Sequence, residues 1–495
     1  MNRDITKGVG PLTAIHRFLW AALVVSLPFT DLILFERSTG SFAHGRPTDY
    51  IITLTWLALI PEVFKGRFRP FLSDWPVRLL LLFVAINSAS VLLSAKAAPL
   101  IWVGKSPWSV SFRSLSTLLL GVSIAFLTLV FVRTWRDFRK ALTYYFVGFV
   151  LSGLAGLIET VTYYSGSSWT QSILDAIHSI GQAWYWEYGF RLRLLSFEPS
   201  MAADYLLCVI PLFAFGAYYW RSKLWSAVNS ALSVVMMLAT VSLGSVIGLA
   251  GELAAAFILL RRRFLATAAV LILLPLLIFT AFDQKPLTAI TDRIPGLLDF
   301  GEFSEDGSAR TRAAQLQIAF HTFLDHPFLG VGIGNPVFYS MESLPQWVKG
   351  DRFASVLVME REDPEIMMTV NNLPVKILSE TGIVGGVVFL LFLLSLFREC
   401  YKGYSEPAEP WKKAVAVSVL IAMVGQCVHF LTLSSLQFRY WFFLWGLAIC
   451  LKRLMPQSDA LLLTRSRIPS RLSAFVAAEN GRKVMTPHAA RVRHI

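Results

Sequence analysis

Two arginines and a carboxylate precede one apolar segment of this sequence. Arg191 and Arg193 are followed by Glu198-Pro199-Ser200, and an apolar run begins directly afterwards. Arginine cations can stabilise negative charge on a leaving phosphate, and a carboxylate can accept a proton from a hydroxyl. Glu198 is therefore our first candidate general base, although pairing with a neighbouring arginine explains this pattern equally well.

A second pair of arginines opens a predicted amphipathic helix. From Ser308, apolar residues recur at helical spacing, and Arg310 and Arg312 fall in the first turn. Helix N-termini favour anions, and arginine binds phosphate oxygens through two parallel hydrogen bonds. The turn is a candidate diphosphate site; the alternative is that both arginines are solvated surface residues.

The stretch TVNNLPVKILSETGIVGG, residues 369–386, combines a helix start with a polar face. Asn372 is a predicted cap, and Asn372, Lys376 and Glu380 stand at four-residue steps on one face at a membrane boundary. Gly382 and the glycines after it predict close contact with another helix. A cap and a packing motif explain the asparagine and the glycines, but not Lys376 and Glu380. Glu380 is the second candidate base.

Two further patterns carry weaker signals. His429, late in a predicted helix, is a third candidate base, but a lone helical histidine is more often a packing residue. The stretch Gly330-Val-Gly-Ile-Gly-Asn335 lacks the Lys-Ser/Thr of a P-loop, so it predicts a tight turn.

The composition is that of a membrane protein. With 55% hydrophobic residues, 16% charged residues and a mean hydropathy of +0.57, the chain has more apolar surface than a soluble protein of its length buries. Long apolar runs without two-residue alternation predict an all-α polytopic fold. About twelve segments approach the length needed to cross a bilayer: 17–35, 48–64, 79–95, 112–132, 141–162, 201–219, 224–241, 244–260, 264–282, 382–397, 414–432 and 438–451.

The distribution of lysine and arginine predicts the orientation. Arg261-Arg262-Arg263 and Lys412-Lys413 fall in gaps on the side that collects most of the basic residues, which predicts that both termini are cytoplasmic. The long loops 163–200 and 283–375 then lie outside. The net charge of +13 reflects this topology, and its scatter over helix ends argues against nucleic-acid binding.

The predicted organisation has four parts. Residues 1–282 hold nine transmembrane helices with the outer loop 163–200, residues 283–375 form a large, partly helical periplasmic loop, residues 376–452 hold three more helices, and residues 453–495 form a basic cytoplasmic tail. The four cysteines imply neither a structural disulfide nor a metal cluster. We expect no cofactor and no metal.

In order and spacing, several of these residues resemble the O-antigen ligase and O-antigen polymerase superfamily. The resemblance covers about residues 190–400 and includes Arg193, Glu198-Pro199-Ser200, Arg312, His326-Pro327 through Gly332, and Asn372 followed by Gly382 and Gly385. It implies a GT-C-like membrane glycosyltransferase. Such an enzyme takes a glycan from undecaprenyl diphosphate at the outer face of the bacterial inner membrane and transfers it to lipid A core or to another lipid-linked repeat.

The resemblance also implies roles for individual residues and partners. Catalysis is assigned to Glu198, Glu380, Asn371 and Asn372, and diphosphate binding to Arg193, Arg310, Arg312, Lys376 and Arg439. The expected partners are the undecaprenyl-diphosphate-linked oligosaccharide, a saccharide acceptor and membrane lipid, with a chain-length regulator as a candidate.

The sequence departs from the family pattern at two places. Family ligases usually have a histidine where this chain has Asn371-Asn372, and an amide cannot take a proton at neutral pH. The Ser-Arg often seen near the seventh-to-eighth helix turn is Ser242-Leu243 here. The missing histidine and the Glu-Pro-Ser motif favour a polymerase, with a ligase as the alternative.

Two other classes of protein remain open. A transporter of polysaccharide or lipid-linked sugar would also have about twelve helices, and Glu159 and Glu252 inside apolar runs fit it. The sequence shows no internal repeat, however, and its extra length lies in the outer loops. A nonenzymatic assembly scaffold is the third class.

The topology can be tested by cysteine-accessibility labelling. We expect a cysteine at Ser304 to react with an impermeant reagent from outside, and one at Ser466 only after the membrane is opened, because the basic residues hold the tail inside. Equal labelling of both from one side would contradict the predicted orientation.

Overall fold

The structure, a computed structural model, describes a defined set of residues: 13–30, 46–64, 69–97, 106–180, 191–196, 198–214, 223–260, 273, 277–278, 285–291, 307–339, 370–406, 408–433, 436 and 438–455. Over these ranges the chain forms α-helices and short 3-10 helices, with no strand. The predicted all-α membrane fold is confirmed.

The helices are numbered here in chain order. They are α1 (Ala14–Val25), α2 (Pro47–Phe64), α3 (Trp75–Ser90), α4 (Pro107–Phe131), α5 (Trp135–Ser165), α6 (Ser168–Ile180), α7 (Pro199–Ala214), α8 (Lys223–Ala239), α9 (Leu243–Leu260), α10 (Lys285–Thr291), α11 (Gly307–Asp325), α12 (Leu373–Ser405), α13 (Pro410–His429) and α14 (Arg439–Leu454). Short 3-10 helices cover Arg69–Ser73, Val91–Lys96 and Pro336–Tyr339.

Among the described helices, 6 are long and apolar enough to cross a membrane: Trp75–Lys96, Pro107–Phe131, Trp135–Ser165, Leu243–Leu260, Leu373–Ser405 and Pro410–His429. Ala14–Val25, Pro199–Ala214 and Leu224–Ala239 are apolar but shorter. Every segment predicted from hydropathy overlaps a described helix except 264–282, which lies almost wholly outside the described residues. The predicted amphipathic helix is α11, which begins at Gly307, one residue before its expected cap.

Local sequence explains where several helices begin. Before α5, the Asp137 N–H donates to Thr134 Oγ1 (3.2 Å) and the Thr134 N–H donates to Asp137 Oδ2 (3.1 Å), which forms a capping box. Proline stands in the first turn of α3, α4, α12 and α13, where its missing N–H leaves no helical hydrogen bond unmade.

The helix α14 is deeply buried. Its residues 439–451 are all buried, as expected for a helix with large apolar side chains on every side. A Cβ on Gly121 of α4 would lie 2.2 Å from the Phe442 ring, and one on Gly446 would lie 2.6 Å from Thr128 Cβ. These two glycines allow α4 and α14 to approach closely, as small residues do between membrane helices.

Basic and aromatic residues join several helices at one end of the bundle. Asp74, just before α3, accepts a hydrogen bond from Arg453 Nε of α14 at 2.8 Å. Trp135, at the start of α5, donates from Nε1 to the Leu454 carbonyl (3.0 Å) and packs edge-on against Trp411 of α13. The starts of α3, α5 and α13 and the end of α14 therefore lie together, at the end that the sequence assigns to the cytoplasm.

The segments selected by the sequence meet at the other end. There α7, α9, α12 and α14 begin, and α8 and α13 end. The Leu192 N–H donates to the Ala239 carbonyl at the end of α8 (3.0 Å), and the Leu373 N–H donates to the Phe430 carbonyl just after α13 (2.8 Å). The candidate site therefore lies at this end of the bundle.

Candidate active site

The segment 191–196 has a strained backbone. Leu194 and Leu195 have φ angles of +56° and +62°, in the left-handed region that residues other than glycine rarely adopt. Glu159 Oε2 accepts hydrogen bonds from the N–H groups of Arg193 (2.9 Å) and Leu194 (3.3 Å). Strain of this kind persists only where the surroundings enforce it, and it clusters at functional sites.

One face of α5 is shaped to hold this segment. Ser152, Gly156 and Glu159 follow one another at helical steps of four and three residues, so they share a face. Ser152 Oγ donates to the Leu194 carbonyl. A Cβ on Gly156 would lie 2.2 Å from Leu194 Cδ2, so only glycine leaves room for that side chain. Glu159 is thus engaged in holding the loop.

Arg193 and Glu198 differ in exposure. Arg193 is 5% exposed and interacts electrostatically with Glu159. Glu198 is half-buried directly before α7, and its Oε2 accepts a hydrogen bond from Ser200 Oγ at 3.0 Å. A carboxylate suits this position because helix N-termini favour negative charge.

The two asparagines are bound by neighbouring elements. Asn372 caps α12 as predicted: its Oδ1 accepts from the Val375 N–H (3.1 Å), and its Nδ2 donates to the Leu431 carbonyl (3.1 Å). Asn371 Nδ2 donates to Gln315 Oε1 of α11 at 3.1 Å. These contacts attach α11 and the turn after α13 to the start of α12.

The predicted polar face of α12 is present, and it anchors a loop. Lys376 Nζ lies 3.9 Å from Glu380 Oε1, and the same oxygen accepts a hydrogen bond from the Gly334 N–H at 3.0 Å. Glu380 is 6% exposed. Its carboxylate is therefore committed to a cation and to the backbone of the loop after α11.

That loop docks where α12 is broken. Gly382 has φ +63°, so Ile383 and Val384 cannot donate to the carbonyls one turn earlier. They donate instead to the Pro327 and Phe328 carbonyls, at 2.8 and 3.4 Å.

The loop also supplies the donors that the break removes. The N–H groups of Val331 and Gly332 donate to the carbonyls of Ser379 and Glu380, at 2.9 and 2.8 Å. The sequence predicted that Gly382 contacts another helix. This prediction is wrong, because Gly382 contacts the loop after α11. A Cβ on Gly382 would lie 2.2 Å from the Phe328 carbonyl.

The end of the loop, Gly330–Asn335, is a tight turn as predicted, with positive φ at each of its glycines. Asn335 is fully buried, and it was not selected from the sequence. Its Nδ2 donates to Ser94 Oγ (3.1 Å) and its Oδ1 accepts from Ser111 Oγ (3.0 Å) of α4. Ser90 Oγ accepts from the Ile333 N–H at 3.0 Å. Serines of three consecutive elements therefore fix the turn.

The remaining predicted phosphate ligands lie in different settings. Arg310 and Arg312 are in the first turns of α11; the Arg312 side chain is exposed, and that of Arg310 lies outside what the structure describes. Arg439 is 1% exposed, with Nε donating to Asp49 Oδ1 of α2 at 3.0 Å and a second nitrogen to the Thr117 carbonyl of α4. Its guanidinium is engaged in joining three helices.

The α7 half and the α12 half of the site are joined through His429. His429 Nδ1 lies 2.7 Å from Asp204 Oδ1 of α7, and the turn that follows His429 accepts the Leu373 N–H. Among the described residues, no group of three or more His, Cys, Asp and Glu side chains could hold a metal ion.

A comparison with protein families supports the resemblance. Residues 228–390 match the family model described as O-antigen ligase. This match supports the O-antigen ligase and polymerase superfamily. A search of curated proteins gives no match. The matched family implies a lipid-linked oligosaccharide and an acceptor as substrates, and a function in surface polysaccharide assembly.

The matched range contains α9, α11, the docked loop and the break at Gly382. Arg193 and Glu198 precede it, so their assignment rests on the resemblance and on the geometry of segment 191–196.

The loop contact at Gly382 can be tested by substitution. We expect Gly382→Ala to destabilise the protein and to expose the loop at 327–334 to protease, because the new Cβ would overlap the Phe328 carbonyl. Gly166→Ala is a matched control: Gly166 has φ +62°, yet nothing lies within 4 Å of its Cβ position. Gly166→Ala should lower the free energy of unfolding only by the cost of its strained backbone conformation, about 1–3 kcal/mol. Equal losses in thermal unfolding and equal protease sensitivity would contradict the docking.

Proposed function

We propose that this protein is a glycosyltransferase of the bacterial inner membrane that polymerises surface polysaccharide repeats. It takes a glycan from undecaprenyl diphosphate at the outer face and transfers it to a sugar acceptor, with both termini in the cytoplasm. The observation that carries the proposal is the strained segment 191–196, which holds Arg193 against α5 directly before the half-buried Glu198. The family match at residues 228–390 supports the substrate class.

In the proposed reaction, a hydroxyl of the acceptor attacks the anomeric carbon of the donor glycan. Its proton passes to Glu198 while the bond from that carbon to the diphosphate oxygen breaks. Undecaprenyl diphosphate leaves with the bonding electrons, so the site needs fixed positive charge. The arginines and Lys376 provide that charge without a metal.

The contacts rank the candidate bases. Glu198 is half-buried and one of its oxygens accepts from Ser200, whereas Glu380 is buried and bound to Lys376 and to the loop. Asn371 and Asn372 are amides and cannot take the proton. Glu198 is therefore the proposed base, and Glu380 is a positioning residue.

The contacts also separate the candidate diphosphate ligands from an arginine that holds helices together. Arg193 and the exposed Arg312 are the proposed diphosphate ligands, and Lys376 and Arg310 are further candidates. Arg439 is held by Asp49 and by the Thr117 carbonyl inside the bundle. We therefore assign it to bundle assembly.

The alternatives make different products. Where family ligases have histidine, Asn371 is bound to α11, which favours the polymerase; a chain-length regulator is then a candidate partner. A ligase would transfer the glycan to lipid A core. A transporter would move lipid-linked sugar without forming a glycosidic bond, so product analysis in reconstituted membranes separates it from both.

The role of Arg193 can be separated from its contact with Glu159. We expect Arg193→Gln to lower glycan transfer by roughly 100-fold, equivalent to about 3 kcal/mol of lost charge stabilisation. The double variant Arg193→Gln/Glu159→Gln removes both charges. If Arg193 served only to neutralise Glu159, the double variant would recover activity; we expect it to remain inactive. Arg465→Ala in the tail is the control.

The role of Glu198 is tested in the same assay. Glu198→Gln keeps the size and hydrogen bonding but removes the base, so we expect transfer to fall by about 100-fold or more. Ser200→Ala removes only the hydrogen bond to Glu198 and should retain most of the activity. An undiminished rate for Glu198→Gln from about pH 6 to 9 would rule out this base.

A further inference from the structure

A second polar network runs into the bundle through His429 and Asp204. Ser242 Oγ and Ser245 Oγ are 3.0 Å apart, and Ser245 Oγ is 3.3 Å from His429 Nε2. The other ring nitrogen of His429 lies 2.7 Å from Asp204 Oδ1, and Tyr440 donates to Asp204 Oδ2 at 2.8 Å. Four helices, α7, α9, α13 and α14, thus contribute to one unbroken chain of hydrogen bonds.

This chain leads inward from the end of the bundle that holds the candidate site. It starts at the turn between α8 and α9, where Arg191 Nε donates to the Thr240 carbonyl (3.1 Å) two residues before Ser242. A hydroxyl and an imidazole each both donate and accept hydrogen bonds. Every member from Ser242 to His429 can therefore receive a proton on one side and release it on the other.

Glu252 lies farther inside, about 10 Å along α9 from Ser245. It is 2% exposed, and neither of its carboxyl oxygens has a hydrogen-bond donor among the described residues. Its side chain lies against the backbone of α13, since a Cβ on Gly425 would come within 2.4 Å of Glu252 Oε1. It interacts electrostatically with Asp204, the last acid of the chain.

Two other buried acids of the bundle, Asp49 and Asp204, have partners that Glu252 lacks. Asp49 is paired with Arg439, and Asp204 is bound by His429 and Tyr440. A carboxylate without a counter-charge or donor is costly in an apolar environment. A bound proton removes the charge.

We infer that Glu252 is a proton-binding site within the membrane, connected to the outer end of the bundle through Ser242, Ser245, His429 and Asp204. The ligand is a single proton, and the site is separate from the proposed transfer reaction. The titratable groups on the helices packed around it include Asp204, Tyr205 and Cys208 of α7, Lys412, Lys413, Cys427 and His429 of α13, and Tyr404 of α12 near Leu259; residues 224–239 of α8 contribute none.

Infrared spectroscopy of the purified full-length protein in lipid tests the site. The carbonyl stretch of a protonated carboxylic acid is resolved from that of a carboxylate. We expect wild type at neutral pH to show this band, Glu252→Gln to lose it, and Glu252→Asp to keep it at a shifted frequency. If spectra of wild type and Glu252→Gln coincide in this region, or if Glu252→Asp also lacks the band while folded, the inference is wrong.

Glu409 provides a matched control for the band. It is an exposed carboxyl before α13, and hydrogen bonds from Lys412 and then Trp411 hold its pKa below the usual value. Glu409 is therefore ionised at neutral pH, so Glu409→Gln should leave the band unchanged.

Exchange into D2O tests the connection. Deuterium on the Glu252 carboxyl shifts the band, and we expect this shift to develop more slowly in Ser245→Ala, which interrupts the chain next to His429. Ser233→Ala is the control, because Ser233 is a fully buried serine of α8 that binds only the Asn229 carbonyl among the contacts seen. Equal exchange in wild type and Ser245→Ala would contradict the pathway. Neither readout depends on glycan transfer, so the proposed function can fail independently.

Discussion

The exchange of hydrogen bonds at Gly382 is the constraint on which this end of the bundle depends. Backbone groups that lose their helical partners inside a membrane must find others, because no water replaces them. The break leaves two carbonyls and two N–H groups of α12 unpaired, and the loop after α11 satisfies all of them in reciprocal fashion. This pairing determines the position of the loop. It also requires glycine at positions 330 and 382, where any side chain would overlap a backbone atom.

The same requirement explains why polar side chains gather at the end of the bundle that holds the candidate site. Glu159 accepts hydrogen bonds from two N–H groups of segment 191–196, and Glu380 accepts one from the Gly334 N–H. Asn372 accepts a hydrogen bond from one N–H and donates one to a carbonyl. Asn372 stands at the start of α12 and Glu380 just before its break, whereas Glu159 lies within α5 and binds a neighbouring irregular segment. An ionisable residue near a membrane boundary is thus not by itself a catalytic group, and its contacts distinguish an anchor from a base. By this criterion Glu198 differs from Glu159 and Glu380, since the hydrogen bond that it makes to the described residues is with the hydroxyl of Ser200.

The sequence predicted those features that depend on neighbours in the chain. Hydropathy located the helices, the spacing of Asn372, Lys376 and Glu380 predicted their common face, and the periodicity after Ser308 predicted α11. Contacts between distant segments were not predictable in this way. Asn335 meets serines more than 200 positions away, and His429 meets Asp204 at a separation of 225 residues. The break at Gly382 was missed because glycines spaced for helix packing look the same as a glycine required for left-handed backbone.

The buried pair of Asp204 and His429 connects the two halves of the site through rigid elements. The ring of His429 binds α7 six residues after Glu198, and the turn that follows it accepts the N–H of Leu373 and the amide of Asn372. No flexible segment intervenes between these contacts, and buried, satisfied polar networks rigidify the structure around them. The relative placement of Glu198 and Lys376 is therefore set inside the bundle, while the exposed arginine of α11 is carried on a helix attached through Asn371. Such a site can hold the proposed diphosphate ligands and the proposed base on separate helices and still keep them in a fixed relative position.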